Sequence, residues 1–556
     1  MPARVITAND ARDGHLARVA GLAVLASLAS FFYYFQRGDI LSHGDATAHI
    51  NIARRVFDSL TPGLLQLGTV WLPLPHLLMI PFIFPNKMWQ SGMGGSIPSM
   101  IAYVFGVLGI FRLVRALLRS DSRTQPAAVV SAWVASFAYG ANPNLIYMQT
   151  TALTETLYLT FFIWAMVYFT EFLRDLRQRE SGSPTNFASR ALRPCACCVA
   201  CAEMTRYDGW FLAGVMGAIV VVIAARQWRH EDPALRWSAL KFLFGIAVAP
   251  VLWLVYNWVI YGNPLEFANG PYSAKAIEQR VGAPNPAFHN LWVAVLYFLK
   301  AAQATLAVGN WGRFWLLAAI VSSLLALWIF RGKVVALLLL LWAPVPFYAY
   351  SIAYGSVPLH VPMWWPFAVF NFRFGLELLP SFAVAAGLLL ATTYVCFAQG
   401  QLWKLAAVVA ALIVTSYAFV LNAEPLCLVE ASRNWEMRRG LDTSVEQVIK
   451  ELPPNSRYLM DLGTHVGIME RLGIPLRRVV NSENRRPWKR PTDPEGIWEH
   501  ALADPSRYVN YVIAFEGDTV DRGVDKTSLT LLAVIHSWGQ PPARIYATNH
   551  PPNQSR

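Results

Sequence analysis

Gly38–Arg55 reads GDILSHGDATAHINIARR and lies between an apolar run and the helix-breaking Thr61-Pro62-Gly63. It sets two acids, Asp39 and Asp45, two histidines, His43 and His49, and two arginines, Arg54 and Arg55, directly after the apolar run. Charge of that density is not needed to end a membrane span. A helix beginning near Asp45 would carry His49 one turn on and on the same face, with Asn51 turned away. Two readings stand side by side here. In one the stretch is a catalytic loop. In the other Asp45 is the N-cap of an interfacial helix whose arginines meet lipid headgroups.

The preceding run, residues 16–35, has about the length a bilayer asks of a helix, with Arg4 and Arg12 before it and Arg18 near its start. That charge bias predicts a cytoplasmic N-terminus and a first loop, residues 38–70, on the outer side. The run has no small-residue cleavage site before the acidic loop, so it is expected to be retained. The whole chain agrees with a membrane setting. Of 556 residues, 55% are hydrophobic, 13% aromatic and only 14% charged, too apolar for a soluble protein of this size. The net charge of +12 does not point to nucleic acid. Residues 422–556 hold 17 Lys+Arg against 17 Asp+Glu, so the excess belongs to the membrane part, where it reports topology.

Further spans are expected at 98–118, 127–143, 154–173, 194–205 with 210–225, 240–260, 311–330, 334–353, 375–397 and 402–421, about eleven transmembrane helices in all. Arginine clusters at 112–123, 174–193 and 226–236 mark cytoplasmic loops. Residues 70–84, VWLPLPHLLMIPFIF, carry three prolines and read as a re-entrant or interfacial piece that brings His76 close to Asp45. Residues 289–307, interrupted by Lys300 and Gln303, read as an interfacial helix at the outer face.

The outer face collects polar groups at the membrane boundary. Glu155 starts a helix, where the dipole favours an acid, and is also placed to face Asp45 across a cavity and contact an acceptor or a divalent cation. Arg206 and Asp208, in TRYDGW, lie between two apolar segments short for full spans; either the two simply pair at the interface, or a hairpin stopping partway through the bilayer lowers both into a cavity. Arg373 stands with Glu377 at the mouth of another span. The cysteines in CACCVAC, Cys195 to Cys201, have no zinc spacing and read as small packing residues; no disulfide framework is indicated. From residue 422 strands and helices alternate, which predicts a small α/β domain on the outer face after a membrane domain of residues 1–421. No Gly-rich phosphate loop appears there, and RRPWKR at 485–490 reads as a solvated loop or headgroup contact.

HGDATAH, then WLPLPHLL, NPNLIYMQTTALTETLYL, MTRYDGW and YNWVIYGNPLEF follow one another in an order that resembles membrane glycosyltransferases of the GT-C fold. This superfamily includes protein O-mannosyltransferases, aminoarabinose transferases and oligosaccharyltransferase catalytic subunits. The resemblance covers roughly residues 16–400. It implies a GT-C-like polytopic α-helical protein that takes a polyprenyl-phosphate-linked sugar and transfers it on the outer side of the membrane, with Asp45 where such enzymes keep a catalytic acid. Ala46 after Asp45 departs from the Asp-Glu pair of the O-mannosyltransferases, so a protein hydroxyl is not assumed as acceptor; lipid, glycan and protein all remain open.

The residues suit that chemistry. Attack of a hydroxyl on an anomeric carbon needs a carboxylate to take the proton, a role for Asp45. The departing phosphate needs positive charge, for which Arg206 and Arg373, with Arg54 or Arg55, are the candidates. His49 and His76 are candidates to orient Asp45 or bind sugar hydroxyls, and Glu155 and Asp208 to bind substrate. A divalent cation is open as a cofactor, although one acid per loop falls short of the several oxygens a hard cation takes. The setting expected is a cytoplasmic membrane of prokaryotic type. The rival reading is a polytopic transporter or lipid flippase using the same charges as a pathway; no internal repeat of the kind such proteins often show is visible.

Overall fold

The computed structural model describes residues 14–180, 188–226, 233–282, 284–330, 334–397, 400–484 and 496–549. Arg4 and Arg12, Arg229 of the third arginine cluster and the basic run 485–490 lie outside them.

The chain is an integral membrane protein built mainly of helices. Helix α1, Gly14–Arg37, turns its narrow buried stripe of Val19, Ala23, Ser27, Phe31 and Tyr34 inward and leaves Leu22, Leu25 and Phe32 outside, as a helix does at the lipid-facing rim of a bundle. The loop after α1 is largely helical: α2 spans Gly44–Arg55. Helix α3, Leu74–Ile83, follows; with ten residues and an internal Pro81 it is too short to cross a bilayer. Then come α4, Met93–Leu118, α5, Ala128–Gly140, α6, Glu155–Glu180, α7, Ala188–Glu203, α8, Asp208–Arg226, and α9, Pro233–Tyr261. After α10, Leu291–Leu306, the chain continues through α11, Asn310–Ile329, α12, Val335–Leu341, and α13, Pro344–Tyr354. Helices α14, Leu379–Phe397, and α15, Leu402–Asn422, complete the bundle.

Among the described residues nine stretches are long and apolar enough to cross a membrane. Two of the eleven expected spans correspond to α5 and α7, with 13 and 16 residues, shorter than that length. The hub of the bundle is the stretch Phe372–Phe397, which is 94% buried along its apolar window; α9, at 28%, is a lipid-facing rim helix.

Helix α16, Leu426–Lys450, leaves the membrane part and leads into a five-stranded sheet. Its strands are β1, Tyr458–Met460, β2, Val479–Val480, β3, Tyr511–Phe515, β4, Leu529–Ser537, and β5, Gln540–Thr548, in the order β2-β1-β3-β5-β4. The first three run parallel, with Tyr458 opposite Val479 and Tyr511; β5 is antiparallel to both β3 and β4. Residues 529–537 and 544–547 read from the sequence as two further strands; β4 occupies the first, and β5 extends the second at both ends.

The two parts are not separated by a linker. One buried apolar cluster runs from Val19 in α1 to Ile545 in β5. Polar contacts join the sheet domain to the loop after α1: Asn484 donates to Ser59 and Thr61, Gln66 donates to the Glu483 carbonyl, and Arg477 pairs with Asp58 at 3.3 Å.

Candidate active site

Helix α2 is capped by His43, whose Nδ1 accepts the Asp45 backbone N–H at 3.2 Å. Asp45 is thus the second residue of the helix and not its N-cap, and its carboxylate is free to project from the first turn. Its side chain keeps 36% of its exposure while its neighbours are buried.

The partner of that carboxylate comes from the far end of the membrane domain. A tight helical segment, Phe372–Leu378, enters the hub helix α14 and carries Arg373 and Glu377 one turn apart. Gly375 lies between them against the α10 backbone; a Cβ there would stand 2.6 Å from the Ala301 carbonyl carbon, so only glycine allows this approach. Arg373 Nη2 donates to Asp45 Oδ2 at 2.5 Å, its Nε lies 2.9 Å from Glu155 Oε1, and its Nη1 faces His43 Nε2 at 2.5 Å. One guanidinium therefore joins the partly exposed Asp45 to the buried Glu155.

Glu155 Oε1 is shared with a second arginine. Arg206, in the turn between α7 and α8, donates from Nη1 to Glu155 at 2.9 Å and to Thr154 Oγ1 at 3.2 Å, and from Nη2 to the Tyr348 hydroxyl at 3.0 Å. Its Nε is 3.2 Å from Asp208 and 3.6 Å from Glu377. Tyr348 in turn donates to Asp208 at 2.8 Å, and both guanidiniums lie beside the Phe374 ring. Arg206 and Asp208 thus lie in a buried cluster at the turn between α7 and α8, although α8, with 19 residues, is long enough to span and is not the short arm the sequence suggests.

Four carboxylates thus meet two guanidiniums. Glu155 Oε2 and both Glu377 oxygens are buried without a hydrogen-bond partner among the described residues, and such acceptors call for a proton, a water or a cation. Among the described residues no group of three His, Cys, Asp or Glu side chains is placed to hold a metal ion.

His49 and His76 meet each other, Nδ1 to Nε2 at 2.9 Å, with the His49 ring tilted against Trp71. Burial pushes His43 down to about 3 and His49 to about 4, with the Arg373 charge adding to the shift in both; His76 is driven well below its ordinary value by burial and by His49. For Asp45, burial is the largest single influence and acts upward, but Arg373, through its charge and its hydrogen bond, together with His43 and His49 outweighs it and holds the carboxyl well below the usual range.

Arg54 is not part of this cluster. It donates to Asp58 at 2.8 Å, to the Ile83 and Phe84 carbonyls and to Asn86, and lies over Phe57 and Trp89. It sits nine residues beyond Asp45, about 13 Å along the helix. Arg55 is buried on the same distal turn, with Glu483 among the groups acting on its charge. Both tie the loop after α1 to its surroundings. Asn51, turned away as expected, donates to Glu470 of the sheet domain at 2.6 Å. The cysteines are all free, and Cys195 packs against the Ala165 carbonyl.

Sequence reasoning did not assign roles to His43, Glu377 and Tyr348. His43 and Glu377 were signalled by their places beside Asp45 and Arg373; Tyr348 has no local signal, being 140 positions from Asp208.

This arrangement of a helical loop after the first span, a hub helix and a C-terminal sheet domain has counterparts among solved structures. ArnT from Cupriavidus metallidurans in the apo state matches at a TM-score of 0.51 and 13% identity, over 94% of this chain and 97% of that one. The chain carries the GT-C fold. ArnT from the same organism bound to undecaprenyl phosphate gives a TM-score of 0.48 at 13% identity, over 95% and 97% of the two chains. The Archaeoglobus fulgidus oligosaccharyltransferase in its apo form gives 0.47 at 12% identity, over 97% of this chain and 75% of that one. No protein-family model and no curated protein sequence matches the chain.

Proposed function

We propose that this protein is a membrane glycosyltransferase that moves a sugar from a polyprenyl-phosphate donor to an acceptor hydroxyl on the outer side of the membrane, with Asp45 as general base. The observation that carries the reading is the Asp45–Arg373 pair, a partly exposed carboxylate held at 2.5 Å by a guanidinium that also reaches buried Glu155. The GT-C fold supports it, and the neighbour ArnT is a protein seen with undecaprenyl phosphate.

The reaction needs both partners of the pair. As the acceptor oxygen bonds to the anomeric carbon, the carbon–oxygen bond to phosphate breaks and the acceptor proton passes to Asp45. The donor phosphate, a diester with one negative charge, leaves as a monoester with a second. A guanidinium beside the departing oxygen is therefore worth more in the transition state than in the ground state. In the resting site Arg373 holds Asp45 ionised but weakens it as a base. When the phosphate takes over the Arg373 contact, Asp45 is released and its basicity rises where the proton is to be taken. Arg206, with donors spread over Glu155, Thr154, Tyr348 and Asp208, keeps Glu155 in place so that Arg373 has an anchor while its outer contact changes.

The test is sugar transfer from a mixture of polyprenyl-phosphate sugars by purified protein in lipid. Wild type should release polyprenyl phosphate, and Asp45→Asn should do so about a hundredfold more slowly while still binding donor. Equal rates would remove Asp45 from the reaction. No turnover by wild type, with a lipid or solute crossing the bilayer instead, would establish a transporter.

A further inference from the structure

We propose that one face of α16, formed by Glu430, Asn434 and Arg438, positions Asp45 and Arg373 relative to each other and so makes the site depend on the C-terminal domain. The inference rests on the reading of Asp45 and Arg373 given above. The three residues follow at intervals of four, which places them on one side of the helix.

Each of them grips the backbone beside one member of the pair. The Glu430 carboxylate is buried, and its two oxygens accept consecutive backbone N–H groups, Asn371 at 2.6 Å and Phe372 at 3.1 Å. These lie at the head of the Phe372–Leu378 segment, with Arg373 next in the chain, and Asn371 adopts a left-handed conformation, φ 52°, that a non-glycine residue needs support to hold. A carboxylate on two N–H donors is a strong anchor. One turn on, Asn434 Oδ1 accepts the Gly44 N–H at 2.9 Å, at the first residue of α2, with Asp45 next. Another turn on, Arg438 Nη2 donates to the Ser42 carbonyl at 3.3 Å. Helix and loop meet so closely that a Cβ on Gly44 would stand 3.0 Å from Asn434 Oδ1 and 3.4 Å from Arg438 Cζ.

The same helix is locked at its other end in the sheet domain. Asp442 takes His465 Nδ1 at 2.7 Å and Arg471 Nη2 at 2.8 Å, and Arg471 Nε reaches Glu446 at 2.6 Å. The helix therefore ties the sheet domain to two backbone segments more than 320 positions apart, between which the Asp45–Arg373 contact is made. Positioning error here is expensive, because about 1 Å at reacting groups can cost on the order of a hundredfold in rate.

The two anchors predict different kinetic signatures. Glu430→Gln keeps the size but loses the charge and one acceptor, loosening the Arg373 side. It should raise KM for the polyprenyl-phosphate sugar, and weaken titrated binding of polyprenyl phosphate alone, about tenfold, with kcat changed less. Asn434→Ala frees the Gly44 N–H on the Asp45 side and should lower kcat about tenfold with polyprenyl phosphate affinity within about twofold of wild type. Asn434→Asp keeps the acceptor and should restore kcat. A purely structural role would lower thermal stability in Glu430→Gln and Asn434→Ala alike and leave kcat and KM of the folded fraction unchanged, and that result overturns the proposal. If Glu430→Gln does not fold, the comparison of Asn434→Ala with Asn434→Asp decides. If Asp45→Asn itself turns over normally, the base assignment has failed separately, and the positioning role then stands or falls on polyprenyl phosphate affinity in Glu430→Gln.

Discussion

Arg373 and Asp45 lie 328 positions apart and share a hydrogen bond of 2.5 Å, with Arg373 buried and Asp45 partly open. The pair sets the pH behaviour of the site. Because the guanidinium holds the Asp45 carboxyl below its ordinary range, the carboxylate is ionised above that depressed value, and activity is lost only as pH falls through it. The acid limb of kcat/KM should therefore lie below the ordinary carboxylate value of about 4. In Arg373→Gln the strongest lowering influence is gone and burial is opposed only by His43 and His49, so the limb should move to higher pH along with a fall in donor affinity. His43 and His49, at about 3 and about 4, are neutral at higher pH, and neither should add a limb between about pH 5 and 8. A profile of kcat/KM from acid to neutral pH in both proteins measures this; an unchanged limb in Arg373→Gln would break the assignment.

Arg206 should matter first for stability. Its guanidinium serves Glu155, Asp208, Tyr348 and Thr154, and Glu377 lies 3.6 Å away. Arg206→Met leaves buried acids without their cation, a change that costs about 3–5 kcal/mol. Thermal unfolding in detergent should show a large fall in Tm, partly recovered when Glu155→Gln is added. A second substitution that worsens stability by its full single-mutant cost would argue against a shared network.

The sequence exposes the local pieces of this site and hides the pairings. Asp45, His49 and Asn51 are readable as two faces of one helix because helical spacing is a local property, and the helix begins at Gly44 as that reading requires. Strand β4 is readable because nine residues of β-prone character are bounded by turn residues. The cap of α2 is not: histidine is outside the usual capping set, so the residues alone leave Asp45 open as the cap, whereas in the fold His43 accepts its N–H. Nor does anything near Glu430 announce that it anchors the Arg373 segment, since that depends on how α16 packs across the bundle. Arg54 misleads for the same reason. An arginine beside a candidate acid reads as a clamp, and only tertiary contacts show its donors already committed.

Arg54 accordingly supplies a contrasting variant. Its fork spans Asp58, two carbonyls and Asn86, a geometry that lysine cannot reproduce. Arg54→Lys should lose about 2–3 kcal/mol of stability through partly unmet buried groups. Donor KM measured on the folded fraction should stay close to wild type. A selective rise in donor KM without loss of Tm would place Arg54 back among the phosphate contacts.

Glu470 gives the sheet domain its own pH signature. It is buried, Oε2 accepts from Asn51 at 2.6 Å, and Oε1 has no partner among the described residues. Burial raises its pKa to about 8, with the Asn51 hydrogen bond acting the other way. An unfolded glutamate titrates near 4.3, so the folded protein holds this proton over the interval between about 4.3 and about 8. The native state binds more protons there, and its stability must fall as pH rises. Glu470's contribution is fully present below the unfolded value and lost as pH climbs through the folded one. Glu470→Gln cannot titrate and should remove this slope, matching wild type near pH 4.5 and exceeding it in Tm near pH 8.5, as read by tryptophan fluorescence in detergent. Because Asn51 lies on the same helix as Asp45, the wild-type loss should be accompanied by loosening of α2, seen as faster amide exchange at residues 44–55. Parallel Tm curves for the two proteins would mean that Glu470 is already ionised in the fold at neutral pH, with a counter-charge or water meeting Oε1.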